Sequence, residues 1–191
     1  MSDGGALSDV IEKLIEAAEG EKVRFGEIVE ALGERGFGPL LLALSAFLVL
    51  PTGAIPGIPA VVGLALLLLM GQLILGRRSP WIPKWLANFR IDAETLRKSG
   101  RTARPWGRRL GRILSPRMRF LAQEKVIAVV SLLSSAIVIA LGFVPLLPMV
   151  FGFNLMLLGM ALVARDGLAA LLGYLVSLGG LILAVMNLGG S

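Results

Sequence analysis

Arg77 and Arg165 are the residues of this 191-residue chain whose placement most suggests chemistry. Each follows a long run without a single charged side chain, residues 36–76 before Arg77 and residues 126–164 before Arg165. Gly71 stands six positions before Arg77, and Gly159 six before Arg165. A guanidinium at the end of an apolar segment can attract an anionic group, and Asp166 follows Arg165 directly. An ionised residue at the centre of a bilayer helix costs roughly 2.5–3.5 kcal/mol on insertion scales, so these charges need water or a partner. Two readings stand side by side. Arg165-Asp166-Gly167 is a tight hydrated turn, as Asp-Gly chemistry allows, or Arg165 and its counterpart Arg77 form anion sites near the breaks in the apolar runs.

Other candidates are few. The chain has no Cys and no His, which removes disulfides, thiol chemistry, a His base and the usual zinc ligands. No cofactor is expected. A membrane-embedded transferase would need an acid, a base or a metal site. Only Asp92, Glu94, Glu124 and Asp166 offer carboxylates near the apolar runs, and none forms a paired motif. Gln72, alone among leucines, is expected to hydrogen-bond across a helix interface, with Gly63 and Gly71 allowing close approach. Arg35 belongs to the turn that leads the chain into the first apolar run.

These groups must be positioned by the two runs themselves, and both runs are broken. The first carries Pro51, Pro56 and Pro59 with Gly53 and Gly57, a stretch that cannot continue a helix. The second breaks at Pro145 and Pro148. The arms of the first hairpin hold about 13–16 residues, whereas crossing the hydrocarbon takes roughly 20. Each hairpin is therefore a tight pair of short spans or a re-entrant loop, whose tip needs protein or trapped water to satisfy its backbone. The hairpins match in outline at an offset of 88–89 residues, which reads as an internal repeat. Repeats with interrupted apolar segments mark transport folds.

Composition fits this frame. The chain is 55% hydrophobic, with mean hydropathy +0.80 and a pI near 10.5. Residues 1–35 hold nine Asp/Glu against four Lys/Arg, and residues 77–125 hold 14 Lys/Arg against three Asp/Glu. The high pI thus reports one basic loop, and a membrane surface is the expected partner rather than nucleic acid. Met1 to Ala6 is acidic and lacks the basic start of a signal peptide.

The expected fold is an all-α integral membrane protein of five parts. Residues 1–35 form cytosolic amphipathic helices, with Leu7, Val10, Ile11, Leu14, Ile15 and Ala18 on one face and Phe25, Ile28, Val29 and Leu32 on another. Asp9 and Glu12 read as a capping-box start, and Gly20 as a stop. Residues 36–76 form the first broken hairpin. Residues 77–125 are a basic interfacial loop. In it Trp81, Trp85 and Trp106 serve as anchors, a short polar helix runs from Asp92 to Gly100, and a basic amphipathic helix is either an ordinary juxtamembrane segment obeying the positive-inside rule or one that lies on anionic lipid or an acidic polymer. Residues 126–164 form the second hairpin, and residues 165–191 a final helix long enough to span.

Several signatures resemble the ExoD family of bacterial membrane proteins. They are the Leu7–Leu14 segment, Gly33 to Leu42, Leu50 to Pro59, Gly71 to Leu86 and Arg165-Asp166-Gly167. The resemblance covers nearly the whole chain and implies a role in exopolysaccharide synthesis. It supplies a process and no catalytic residues. The function expected is accessory or transport-like, in the bacterial inner membrane, as a homodimer in contact with lipid and with anionic headgroups or polysaccharide. The alternatives are a scaffold acting through the acidic N-terminus and basic loop, or the transferase considered above.

Charge also sets topology. The cations of residues 77–125 place that loop, and with it Met1, on the cytoplasmic side. A cysteine introduced at Ser99 should therefore react only with reagents that reach the cytoplasm, and periplasmic labelling there would reverse the orientation.

Overall fold

A computed structural model describes residues 6–18, 20–33, 36–49, 57–77, 79–114, 118, 120–141 and 147–189. Among the described residues the chain is all-α but for one pair of three-residue strands. Its elements run α1 (Ala6–Ala17), β1 (Lys22–Arg24), α2 (Phe25–Gly33), α3 (Phe37–Val49), α4 (Ile58–Ile74), α5 (Lys84–Ala87), β2 (Arg90–Asp92), α6 (Ala93–Ile113), α7 (Glu124–Leu141), α8 (Leu147–Ala164) and α9 (Gly167–Gly189).

Two layers follow from the charge pattern. The amphipathic elements α1, β1, α2, α5, β2 and α6 pack with one another, and the apolar helices α3, α4, α7, α8 and α9 form a bundle. In the first layer, Leu7, Val10 and Ala18 of the N-terminal segment are buried, as are Phe25, Ile28, Val29 and Leu32 of α2. The expected faces are therefore the packed ones. β1 and β2 pair antiparallel, with Val23 opposite Ile91. The ladder is extended at both ends by equivalent bonds, from the Phe25 N–H to the Phe89 carbonyl (2.8 Å) and from the Ala93 N–H to the Glu21 carbonyl (3.0 Å).

Several sequence expectations change here. α1 begins at Ala6, so Asp9 lies inside its first turn and Asp9/Glu12 do not form the start. The half capping box belongs to α2. There Glu27 accepts the Arg24 backbone N–H at 3.0 Å, and its other oxygen takes the Arg24 Nε at 2.9 Å. Those bonds favour the charged form, and they hold the Glu27 carboxyl below its usual range. The polar and basic helices expected between Asp92 and Leu114 are one helix, α6, continuous through Pro105. One face of α6 is already covered: a Cβ added at Gly100 would meet Ile15, and one at Gly107 would meet Ile11. That face packs on α1, while the side chains of Trp106, Leu110 and Ile113, which carry the expected apolar stripe, lie outside the described residues. The Arg104 guanidinium lies 3.5 Å from Glu12, pairing the basic loop with the acidic N-terminus.

In the bundle, α3 packs on α8 and α4 on α7. Each pair runs antiparallel. A Cβ on Gly152 would meet Leu48, and one on Gly38, at the other end of α3, would meet Leu162. Similarly, Gly63 of α4 faces Ser135, Val138 and Ile139 of α7. The second helix of each hairpin thus packs on the first helix of the other. α9 lies on α8 and against α7. Among the described residues, no helix is long and apolar enough to cross a membrane.

At Gly159 the backbone of α8 lies close against that of α3. An added Cβ there would sit 2.7 Å from the Leu42 nitrogen and 2.8 Å from its Cα, which is backbone that cannot swing aside. At Gly71 the nearest atom, Leu132 Cδ1, is 3.8 Å away. Gly159→Ala should therefore cost about 1–3 kcal/mol through overpacking. Gly71→Ala should be neutral or stabilising, since Ala is favoured over Gly in a helix by about 1 kcal/mol. Denaturant unfolding of the purified variants checks this, and equal effects at the two sites would contradict the packing described.

Candidate functional site

Four helix ends meet where the bundle joins the amphipathic layer. They are the start of α3 (Gly36 to Pro39), the end of α4 (Leu73 to Arg77), the start of α7 (Glu124, Lys125) and the end of α8 (Leu162 to Arg165). Together with Val10 of α1 they enclose a cavity of about 580 Å³. Both Arg77 and Arg165 line it, so the fold brings together the two cations that the sequence singled out, but at the helix ends remote from the proline breaks rather than near them. Lys125 joins them, opposed by Glu124 alone among the described lining residues. All four are exposed at the mouth, while Phe37, Gly38 and Pro39 are buried. One exposed cation attracts an anion at 4 Å by about 1 kcal/mol in water and by about 4 kcal/mol at an effective dielectric of 20. Several cations around one partly enclosed space are what give it a preference for negative charge. The N-terminal ends of α3 and α7 open onto the same space and add positive field.

Local backbone chemistry explains how the two arginines arrive there. α4 ends with Gly76 at φ 75° and α8 with Arg165 at φ 52°. In both, the next residue bonds back five positions, Arg77 N–H to the Gln72 carbonyl at 3.0 Å and Asp166 N–H to the Ala161 carbonyl at 3.2 Å. This is the Schellman stop, whose left-handed residue suits glycine. The backbone equivalent of Arg165 is thus Gly76, and that of Arg77 is Asp166. The sequence register that paired the two arginines is one residue out, although both still face the cavity.

Arg165-Asp166-Gly167 is the turn between α8 and α9. Asp166 is 1% exposed, and its Oδ1 accepts the Leu168 N–H at 2.8 Å, capping α9. A Cβ at Gly167 would collide with the Met118 carbonyl, which requires glycine there. The turn reading holds for the backbone, and the Arg165 side chain borders the cavity as well.

Gln72 has a different partner from the one expected. Its Nε2 donates to the Trp81 carbonyl (2.6 Å) and its Oε1 accepts the Trp81 N–H (2.8 Å). It clamps the segment after Arg77 back onto α4 rather than bridging a helix interface. The Trp81 and Trp85 side chains and Phe89 remain exposed. Trp106 lies within α6, and its side chain is outside the described residues, as are Arg35, Pro51, Pro56 and Pro145. Pro59 and Pro148 are both buried and both occupy the second position of their helix, where a missing N–H costs nothing. Glu94 sits among Arg97, Lys98 and Arg101 on α6.

Sequence reasoning missed a polar cluster inside the bundle. Asn154 of α8, 1% exposed, donates to Ser134 of α7 at 3.1 Å and to Ser177 of α9 at 2.8 Å. Its Oδ1 and the nearby-in-sequence Ser131 hydroxyl have no partner. The available signal was an asparagine within an otherwise apolar helix, the same signal that drew attention to Gln72.

The family profile for exopolysaccharide synthesis, ExoD, matches residues 7–186. Protein ExoD of Rhizobium meliloti (strain 1021) is 29% identical over 177 residues, which is 88% of this chain and 72% of that protein. No solved structure matches the chain. A profile match running from α1 to near the end of α9 places the chain in the ExoD family of exopolysaccharide synthesis proteins.

Proposed function

We propose that this chain is an integral membrane protein that serves exopolysaccharide production as an accessory or transport-like component, without a catalytic centre of its own. The observation that carries the membrane reading is the outward face of the bundle. Leu133 is 58% exposed and Leu175 57%, and Phe153, Leu172, Leu178 and Ile182 are exposed beside them on α8 and α9. Apolar faces on successive helices are unusual on a protein surrounded by water, and lipid is the natural cover. At 1.5 Å per residue, α4, α7 and α8, of 17, 18 and 18 residues, rise roughly 25–27 Å, and the 13-residue α3 about 20 Å. These lengths suit hairpins inserted from one face into a bilayer that thins locally around them.

The inner layer is then cytoplasmic. Its acidic and basic segments pair with each other through α1 and α6, which supports the accessory reading over a scaffold that offers them to other proteins. A chain with so few helices encloses little pathway alone, so a homodimer is the proposed unit.

The internal repeat is part of this reading. Pro59 and Pro148, Gly63 and Gly152, buried Ser45 and Ser134, and the two Schellman stops all stand 89 residues apart. The strands stand 68 apart, Lys22 to Arg90, and the difference of 21 falls in the longer α6 and its connection to α7. The two hairpins open at the same end, around the cavity. That supports a repeat axis along the bundle, a parallel repeat in place of an inverted one.

Arg165 offers the sharpest test. Its positive φ disfavours any side chain with a Cβ by about 1–2 kcal/mol. Arg165→Gly should keep or raise the amount of folded protein while removing a cation from the cavity. We expect such a strain to make markedly less exopolysaccharide at undiminished protein level, with Arg165→Gln behaving likewise. Full production by Arg165→Gly would leave Arg165 a turn residue only.

A further inference from the structure

We infer that the cavity between the two hairpins holds the phosphate headgroup of an anionic lipid, whose chain lies along the outer face of α7. The inference rests on the membrane reading above and adds a ligand to it. Two observations meet at the start of α7. Lys125 borders the cavity with Arg77 and Arg165, giving three cations against Glu124. Directly after it, Val126, Val129 and Leu133 are exposed on one face of the helix, at spacings of three and four. Ala136 and Ala140 continue that exposed face. From Val126 to Ala140 the strip extends about 21 Å at 1.5 Å per residue, away from the charged end and without an ionised group.

The cavity and the strip are therefore complementary to the two parts of one amphiphile. A free sugar phosphate would use the cations and leave the strip idle. A neutral lipid would use the strip and leave three cations unanswered. The rest of the lining agrees with this choice, since Val10, Phe37, Leu73, Leu162 and Val163 are apolar and suit the first carbons beside a headgroup. A cavity of about 580 Å³ accommodates a headgroup and its first carbons.

Guanidinium groups suit this task for a second reason. Their fork matches phosphate oxygens in pairs, while Lys125 acts as a point charge. Phosphocholine carries a compensating cation, so the site should prefer a phosphate monoester over it.

Binding to the purified full-length protein in a non-ionic detergent tests the inference, with dodecyl phosphate, dodecylphosphocholine and inorganic phosphate as probes. Intrinsic tryptophan fluorescence or native mass spectrometry reads occupancy. Dodecyl phosphate should bind at least ten-fold more tightly than either other probe. Lys125→Gln, an exposed change at a helix start, should weaken it several-fold, and Lys125→Gln with Arg77→Gln and Arg165→Gly at least ten-fold. Val129→Ser with Leu133→Ser should reduce dodecyl phosphate to the affinity of inorganic phosphate. If inorganic phosphate matches dodecyl phosphate and the serine variant changes nothing, the ligand is a free phosphate and the lipid assignment is overturned. If the charge variants bind as well as the parent chain, the cavity is not the site. Fractionation of cells separates this from the reading beneath it. Protein absent from the membrane fraction contradicts the membrane reading, whereas protein present there but blind to dodecyl phosphate contradicts only the lipid site.

Discussion

Contact between the backbone of α8 and that of α3 is the constraint on which the rest of the arrangement depends. Gly152 faces Leu48 and Gly159 faces Leu42, and at both points a side chain would need space that the other helix occupies. Lipid tails are as apolar as leucine, so burying leucines supplies little drive for helices to associate inside a bilayer. Close packing through small residues supplies it instead. In water the same burial would be worth about 1.5–3 kcal/mol for each leucine, and the glycines would matter less. The glycine contacts and the exposed leucines of α7 and α9 therefore favour one environment together.

Once the hairpins are crossed in this way, the charges have one place to go. Every described end of α3, α4, α7 and α8 that carries or adjoins a charged residue lies at the cavity, beside the amphipathic layer. The Schellman stops at Gly76 and Arg165 turn the chain back there, and the Asp166 cap launches α9 from the same level. Tyr174 ties α9 down as well, through its hydroxyl to the Leu121 carbonyl at 2.9 Å. Polar groups deeper in the bundle, such as Asn154 and its serines, are uncharged and mostly bonded to one another. The result is a protein with one charged end and an apolar body.

Much of this was legible in the sequence. Charge segregation located the two layers, and the proline breaks located the starts of α4 and α8. The faces of α1 and α2 followed from helical periodicity. What escaped had physical causes. β1 and β2 are three residues each, too short for alternation to register, and they exist because the other strand is present. The partner of Gln72 is a backbone segment nine residues away, which side-chain type does not reveal. The covering of α6 by α1 depends on Gly100 and Gly107 meeting Ile15 and Ile11, a tertiary match between segments far apart in sequence. The one-residue error in pairing Arg77 with Arg165 arose because the two helix stops match in backbone conformation and not in residue type. Gly76 and Arg165 share a left-handed geometry without sharing a residue type.

The central claim is that the apolar body lies in lipid while the cavity end meets water. Spin labels at Leu133, Leu175 and Lys125 of the protein in liposomes measure this directly, through relaxation by oxygen and by a water-soluble nickel chelate. The account predicts that labels at 133 and 175 are relaxed by oxygen and hardly by nickel, and that the label at 125 shows the reverse. Strong relaxation by nickel at 133 and 175 would place the body in water and contradict it.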